Sequence, residues 1–158
     1  MARVYLETSF FSACVSTRTT TRSLYWREVS NEWWTVEAPR HELAISGEVI
    51  AELSEPRFPQ REQAMAMLRG LPVLDISDEV LGLAEVLVRE KVMPGPVAGD
   101  ALHVAVAAWH GVEYVLTWNV KHMANPNKRT HLTAVCLRLG LVPPQIVTPD
   151  LIRGLDDE

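Results

Sequence analysis

The sequence predicts an α/β domain with a central, mostly parallel sheet of four to five strands flanked by helices, and three observations carry that expectation. Short runs rich in β-branched and aromatic residues, such as VYL at 4–6 and YVLT at 114–117, alternate with longer stretches whose apolar residues recur every three or four positions. Capping residues, prolines and glycines stand where one pattern gives way to the other. The 158 residues are enough for one ordinary domain over 1–158, burying about 70% of the surface of the unfolded chain without help from a disulfide or a zinc ion.

Residues 4–6 form the first strand, and Thr8 and Ser9 are placed to cap the helix that follows. Residues 16–21 are polar and threonine-rich, the composition of a flexible loop. Over 22–37, Trp26, Val29, Trp33 and Val36 recur at helical spacing and predict a buried stripe, with Pro39 ending the helix. Tyr25 and Trp34 fall off that stripe and are candidates for an exposed partner surface. Residues 41–46 read as the second strand, followed by a helix carrying Glu48, Val49, Glu52 and Leu53 that Pro56 and Pro59 punctuate. A helix over 60–71 presents Ala64, Met67, Leu68 and Leu71 on one face, and 72–76 form the third strand.

Ser77 caps the next helix, whose inward stripe is Val80, Leu83, Ala84, Leu87 and Val88. Asp78 and Glu79 in its first turn are accounted for by the helix dipole. Residues 93–99 are a Pro/Gly loop, Asp100 opens a helix running to 108, and Gly111 closes it. The fourth strand is 114–117, a helix over 130–139 stops at Gly140, and 146–147 supply a short last strand. There is no internal repeat and no low-complexity stretch.

Composition excludes several classes. Hydrophobic residues make up 47% and charged residues 22%, and no apolar run approaches the length of a membrane span. An acid at position 7 interrupts the stretch where a secretory leader would be apolar, so a cytoplasmic location is expected. Cys14 and Cys136 lie far apart with no metal-type spacing, so two free thiols are expected. A net charge of −5 argues against a broad electrostatic grip on nucleic acid, although Lys121, His122, Lys128, Arg129 and His131 crowd together as either a local phosphate-contacting rim or a solvated face. Walker A, GxSxG and GxGxxG patterns are absent.

The chemistry gathers at strand ends. Loops at the carboxyl edge of an open parallel sheet converge on one crevice, so residues following the first and fourth strands meet despite their separation in sequence. Glu7 and Asn119 occupy those positions, Glu48 and Glu52 lie four residues apart on one helix face, and Asp100 stands at a helix start. Each acid alone also reads as a cap or a solvated carboxylate. Glu7 is the hardest to read so, because it follows an apolar strand directly and is partly desolvated there. Carboxylates plus one amide are the donor type that hard divalent cations take.

At these residues the chain resembles the PIN-domain nucleases, and among them the VapC-like toxins of toxin–antitoxin pairs. The segments VYLETS, ISGEVIAELSE, GDALHVAVAAWHG and TWNVKH carry the resemblance over nearly the whole chain, the last two being the more specific. It implies an endoribonuclease that uses Mg²⁺ or Mn²⁺ to hydrolyse RNA phosphodiester bonds. Glu7 and Asp100 would be its ligands, Glu52 a ligand or a water-orienting base, and Asn119, standing where a fourth acid is common, would complete the metal cluster as a neutral ligand or water anchor. Thr8 matches the small hydroxyl residue after the first acid. Glu48, His103, Lys121 and His122 are secondary candidates, His103 as a partner of the ligands and Lys121 and His122 as phosphate contacts, while Trp118 reads more readily as buried than as a base-stacking residue. Two departures stand out: Glu7 where many relatives have Asp, and the uncharged Asn119. The alternative they leave open is an attenuated PIN-fold module that binds RNA or protein without cleaving. A response-regulator or dehalogenase-type phosphotransfer domain fits less well, because ETSFFSA lacks the second acid such sites use. The partners implied are an RNA substrate, a cognate antitoxin laid across the first helices near residues 25–36, and, as a further option, a second copy in a homodimer, with no membrane association.

Overall fold

The short apolar runs do pair as strands. In the computed structural model, which describes residues 1–153, β1 (Arg3–Leu6) lies between β2 (Glu42–Ser46) and β4 (Tyr114–Leu116), with β3 (Val73–Leu74) and β5 (Gln145–Val147) at the edges. The sheet is five-stranded, parallel throughout, in the order β3-β2-β1-β4-β5. Residues 154–158 of the predicted domain lie outside the described residues. Tyr5 sits opposite Ala44 on one side and Val115 on the other, and Val4, Tyr5 and Leu6 are wholly buried, as a central strand covered on both faces must be.

The strand order puts a reversal at β1: the chain moves outward through β2 and β3, then returns to the other side of β1 for β4 and β5. Connections leaving β1 and β4 therefore diverge and open a crevice at their carboxyl ends. Glu7 N donates to Leu116 O at 3.0 Å and Thr117 N to Val147 O at 3.0 Å, which holds both strand ends in register up to the crevice.

Seven α-helices are described: α1 (Thr8–Cys14), α2 (Thr21–Glu32), α3 (Gly47–Leu53), α4 (Arg61–Met67), α5 (Asp78–Arg89), α6 (Leu102–Trp109) and α7 (Pro126–Arg138). α1 packs against α2, α3 and α4, while α5 packs against α6, which in turn rests on β4. Every residue from 102 to 108 is buried, so α6 is a core helix that reaches solvent only at its last residue, Trp109. Ser77 caps α5 as expected, accepting from Val80 N, and Val80, Leu83, Ala84 and Leu87 point inward.

Several elements depart from the periodicity. The cap of α1 is Glu7, whose side chain accepts from Ser9 N; Thr8 and Ser9 lie inside the helix and turn their hydroxyls elsewhere. The helix over 22–37 is α-helical only to Glu32 and continues as a π-helical turn over Trp33–Glu37, with Ala38 N bonded to Trp33 O. That wider turn shifts the phase of everything after it. Val36 is 47% exposed and Glu37 takes the buried position, 3.9 Å from His41 Nε2, so the expected stripe ends at Trp33. Trp34 is rotated inward onto Phe10 and Phe11, which removes it from the expected exposed surface, whereas Tyr25 remains half exposed.

The third strand pairs over two residues only. Beyond Leu74 the Asp75 carbonyl meets His110 Nε2 at 2.8 Å, and the chain leaves the sheet for the Ser77 cap. α7 begins four residues before the expected 130, because Asn125 caps it through Asn127 N and Pro126 occupies the first helical position, where its missing N–H costs nothing. Trp33 is the largest fully buried side chain, edge-on to Phe10 and donating from Nε1 to Ile152 O at 2.8 Å. It ties the end of the described chain to the first helices.

Candidate active site

Each acid at the carboxyl edge is held by a neighbour of complementary chemistry. Glu7 leaves β1 in an extended conformation, is 5% exposed, and accepts through Oε2 alone: from Ser9 N at 2.9 Å, from Thr117 Oγ1 at 2.8 Å, and from Ser9 Oγ in a very short contact. Burying a carboxylate without partners would cost kilocalories, and these three donors offset that cost. Glu7 Oε1 makes no hydrogen bond among the described residues. Ser9 Oγ also accepts from Trp118 N at 2.8 Å, so the start of α1 and the loop after β4 are joined through the same hydroxyl.

Glu52 stands on the last turn of α3 and repeats the arrangement. Its Oε1 accepts from Thr8 Oγ1 at 2.8 Å and makes a very short contact with His103 Nε2, while Oε2 makes no hydrogen bond among the described residues. Burial pushes the Glu52 carboxyl up, but the bonds from His103 and Thr8 outweigh it and hold the group below its ordinary value. His103, completely buried on α6, is subject to the opposite balance: burial favours the neutral ring, yet the Glu52 bond and the charges of Glu7, Glu52 and Glu48 raise its pKa above 6.5. Its Nδ1 lies 2.6 Å from Tyr5 Oη, which lies 2.7 Å from Ser46 Oγ. In the protonated ring both nitrogens donate, and Tyr5 Oη, accepting from Nδ1, donates its own hydrogen bond to Ser46 Oγ. Burial, chiefly, keeps Tyr5 protonated.

Asp100, half-buried at the start of the α6 segment, is faced by Asn119. The amide Nδ2 lies 3.1 Å from both carboxylate oxygens, and Asn119 N is fixed by Thr117 Oγ1 at 3.0 Å. Burial raises the Asp100 pKa; the Asn119 bond and the fields of His103 and His122 pull it back only in part. Glu48 is raised as well, by burial and by repulsion from Glu52.

The fields felt by His103 come from Glu7, Glu52 and Glu48, and those felt by Asp100 from Glu52, His103 and His122. Glu7, Glu48, Glu52, Asp100, His103 and Asn119 thus share one crevice, with Thr8 bridging to Glu52. Lys121 and His122 are exposed on the loop just after Asn119. Lys128 is committed elsewhere, donating to Lys91 O at 3.0 Å. Trp118 is buried and stacked on Trp26, its Nε1 donating to Ser30 Oγ at 2.7 Å.

Four positioning residues escape a reading based on acids alone: Tyr5, Ser46, Thr117 and the side chain of Ser9. They had a common signal, a hydroxyl within three residues of the carboxyl end of β1, β2 or β4. Among the described residues no three His, Cys, Asp or Glu side chains are already gathered tightly enough to cage a cation. The arrangement nevertheless fits a cation that retains most of its waters: two carboxylates are each anchored through one oxygen, leaving the second without a hydrogen bond.

No protein-family model matches this chain, and no curated protein does. Solved structures do match it. VapBC2 from Rickettsia felis, bound to a DNA fragment from its promoter, superposes with a TM-score of 0.58 at 17% identity, over 92% of this chain and 98% of that one. VapC20 of Mycobacterium tuberculosis, a toxin that cleaves the sarcin–ricin loop, gives 0.56 at 19% identity over 75% of this chain and 91% of its own. FitAcB from Neisseria gonorrhoeae gives 0.53 at 10% identity over 92% and 97%. Sheet order, the crevice beside β1 and these superpositions agree: the chain has the PIN-domain fold of the VapC-type toxins.

Proposed function

We propose that this protein is a metal-dependent endoribonuclease, the toxin of a VapBC-type toxin–antitoxin pair, hydrolysing RNA phosphodiester bonds at the crevice beside β1. The observation that carries the reading is the convergence of Glu7, Glu52 and the Asp100–Asn119 pair at the carboxyl ends of adjacent central strands. Glu7 Oε1, Glu52 Oε2 and an Asp100 oxygen would hold Mg²⁺ or Mn²⁺, directly or through water. When bound, such an ion polarises a phosphoryl oxygen and makes a bound water more acidic.

The chain's own residues supply the rest. Thr117 and Ser9 hold the Glu7 carboxylate in place, and Thr8 and His103 do the same for Glu52. His103 keeps Glu52 ionised, so that its second oxygen is available to hold the ion directly or to orient a water between them. Asn119 orients Asp100 without adding a further negative charge to the crevice. Lys121 and His122 stand on the rim where an RNA phosphate would approach. The antitoxin, as a proposed partner, would cover this crevice from the side of α1 and α2.

Cleavage of a panel of structured and unstructured RNAs tests the reading, with Mn²⁺ and Mg²⁺ titrated against EDTA and Glu7→Gln and Asp100→Asn compared with the parent. Metal-stimulated cleavage that falls by two orders of magnitude or more in both variants is expected. A parent that cleaves none of the RNAs at any metal concentration overturns it, and so do variants as active as the parent.

A further inference from the structure

Beside the carboxylates lies a cavity of about 370 Å³ between α1, the loop before α2 and the turn after α3. Its volume is at the lower end of the range for small-molecule sites. Ser9, which touches Glu7, stands at one end; Ser12, Arg18, Arg22, Trp26 and Phe58 line the rest. We propose that this cavity is a subsite that holds one nucleotide of a single-stranded RNA next to the carboxylate cluster. The proposal rests on the ribonuclease reading and names where the substrate flanking the cleaved bond is held.

Charge is the first argument. The chain carries −5 overall, so an RNA strand needs a local cationic contact to approach an acidic crevice. Arg18 and Arg22 are exposed and make no ion pair among the described residues, in contrast to Arg3, Arg138 and Arg153. Both guanidinium groups have donors free for phosphate oxygens.

Shape is the second. Arg22 and Trp26 stand four residues apart on α2, and the guanidinium lies over the indole at 5.2 Å. The ring of Trp26 is in turn stacked on Trp118, with centroids 5.0 Å apart and planes 12° from parallel. Trp118 is fixed by Ser30 and by Ser9, so the column from Trp118 through Trp26 to Arg22 is anchored at the acid site and ends in the cavity. A guanidinium held over an aromatic plane is a surface on which an unstacked base lies flat, and Phe58 adds a second aromatic wall. Serine and threonine hydroxyls around it suit ribose and phosphate oxygens; Gln60 Nε2 reaches Thr17 Oγ1 at 3.5 Å and closes the far side. An acidic peptide would use the two arginines but not the stack.

The test measures binding without chemistry. A fluorescein-labelled, 2′-O-methylated RNA hexamer of mixed sequence, which cannot be cleaved through its 2′ oxygens, is titrated in EDTA from about 50 to about 200 mM salt. Arg18→Ala with Arg22→Ala should weaken binding by about tenfold or more and flatten the log–log salt slope by about 1.4, the value for two phosphate contacts on a single strand. Arg22→Lys should keep the slope and still lose about fivefold through the stack. Ser12→Leu, which fills the cavity without altering charge, should weaken binding at unchanged slope. A parent that binds the hexamer while the double variant matches it in affinity and slope overturns the subsite and leaves the ribonuclease reading standing. A parent that binds no RNA overturns both. Displacement of the hexamer by an Asp/Glu hexapeptide at equal concentration overturns the nucleotide assignment.

Discussion

Asn119→Asp isolates the departure at the fourth position. Asn119 Nδ2 lies 3.1 Å from both oxygens of Asp100, so the substitution removes a charge-assisted hydrogen bond and puts two carboxylates face to face. At 3.1 Å two unit charges repel by roughly 5 kcal/mol at an effective dielectric near 20. Both residues are half-buried, and side-chain rotation with solvent screening reduces the net loss in the absence of metal to about 2–3 kcal/mol, or roughly 5–10 °C in Tm for a chain of this length.

The pH dependence has a definite sign. Burial already raises Asp100, and a second carboxylate raises the proton affinity of the pair further. A carboxyl whose folded pKa exceeds its unfolded value destabilises progressively as pH rises, so the deficit of the variant should vanish below the ordinary Asp value of 3.8 and reach its full size well above it. Added Mn²⁺ should reverse the order: the extra charge tightens binding, and an ion at a hundred times its Kd contributes about 2.7 kcal/mol. Differential scanning fluorimetry in EDTA and across a Mn²⁺ titration, for parent and variant at pH 4 and pH 7.5, reads both effects. Equal midpoints in EDTA together with equal metal-induced shifts would refute the placement of Asn119 in the cluster.

The remaining predictions concern other links. Trp33→Ala removes a side chain that is 1% exposed, together with its bond to Ile152 O, and should cost about 3–5 kcal/mol in a urea titration; a cost below about 1 kcal/mol would show that the site is not core. His103→Gln should flatten the fall in stability above pH 6.5. The raised His103 stabilises below its ordinary value of 6.5 and loses that contribution as pH rises through its folded value, whereas the depressed Glu52 contributes above 4.5 and loses it as pH falls, so the pair is worth most between the two. An unaltered stability–pH curve would show that the pair is not coupled. Asn125→Ala should destabilise by about 1 kcal/mol through loss of the α7 cap, with RNA cleavage unchanged; an unchanged urea midpoint would place the start of α7 elsewhere.

Period-two and period-3.6 patterns located four of the five strands closely and the core face of α5 at Val80, Leu83, Ala84 and Leu87, with Val88 only partly buried, because there burial decides which side chains turn inward. The same reasoning failed where backbone geometry changed without a change in composition. Nothing in WWTVE announces a π-helical turn, so Val36 and Trp34 exchanged the surroundings that simple spacing assigned to them. The short β3 follows from its place at the sheet edge, which a local pattern does not record. The α7 start was legible in Asn125-Pro126 and shows that a cap followed by proline outranks apolar periodicity as a boundary signal.

For the site, the acids were legible because hard-cation chemistry limits the choice of residue, whereas their supports were not, since serine, threonine and tyrosine occur everywhere. The supports explain the departures. Glu7 carries one methylene more than aspartate, and it reaches back to accept from Ser9 N and Thr117 Oγ1 through one oxygen while keeping the other free. Asn119 follows from a similar constraint. Glu52 already has its positive partner in His103, and Asp100 has none within bonding distance; a neutral donor satisfies Asp100 without bringing a fifth carboxylate into a crevice where Glu48 and Asp100 are already pushed toward protonation. The glutamate and the amide are therefore complementary: Glu7 accepts at its own cap through one oxygen and keeps the other without a hydrogen bond among the described residues, and Asn119 donates to Asp100 without adding charge beside it.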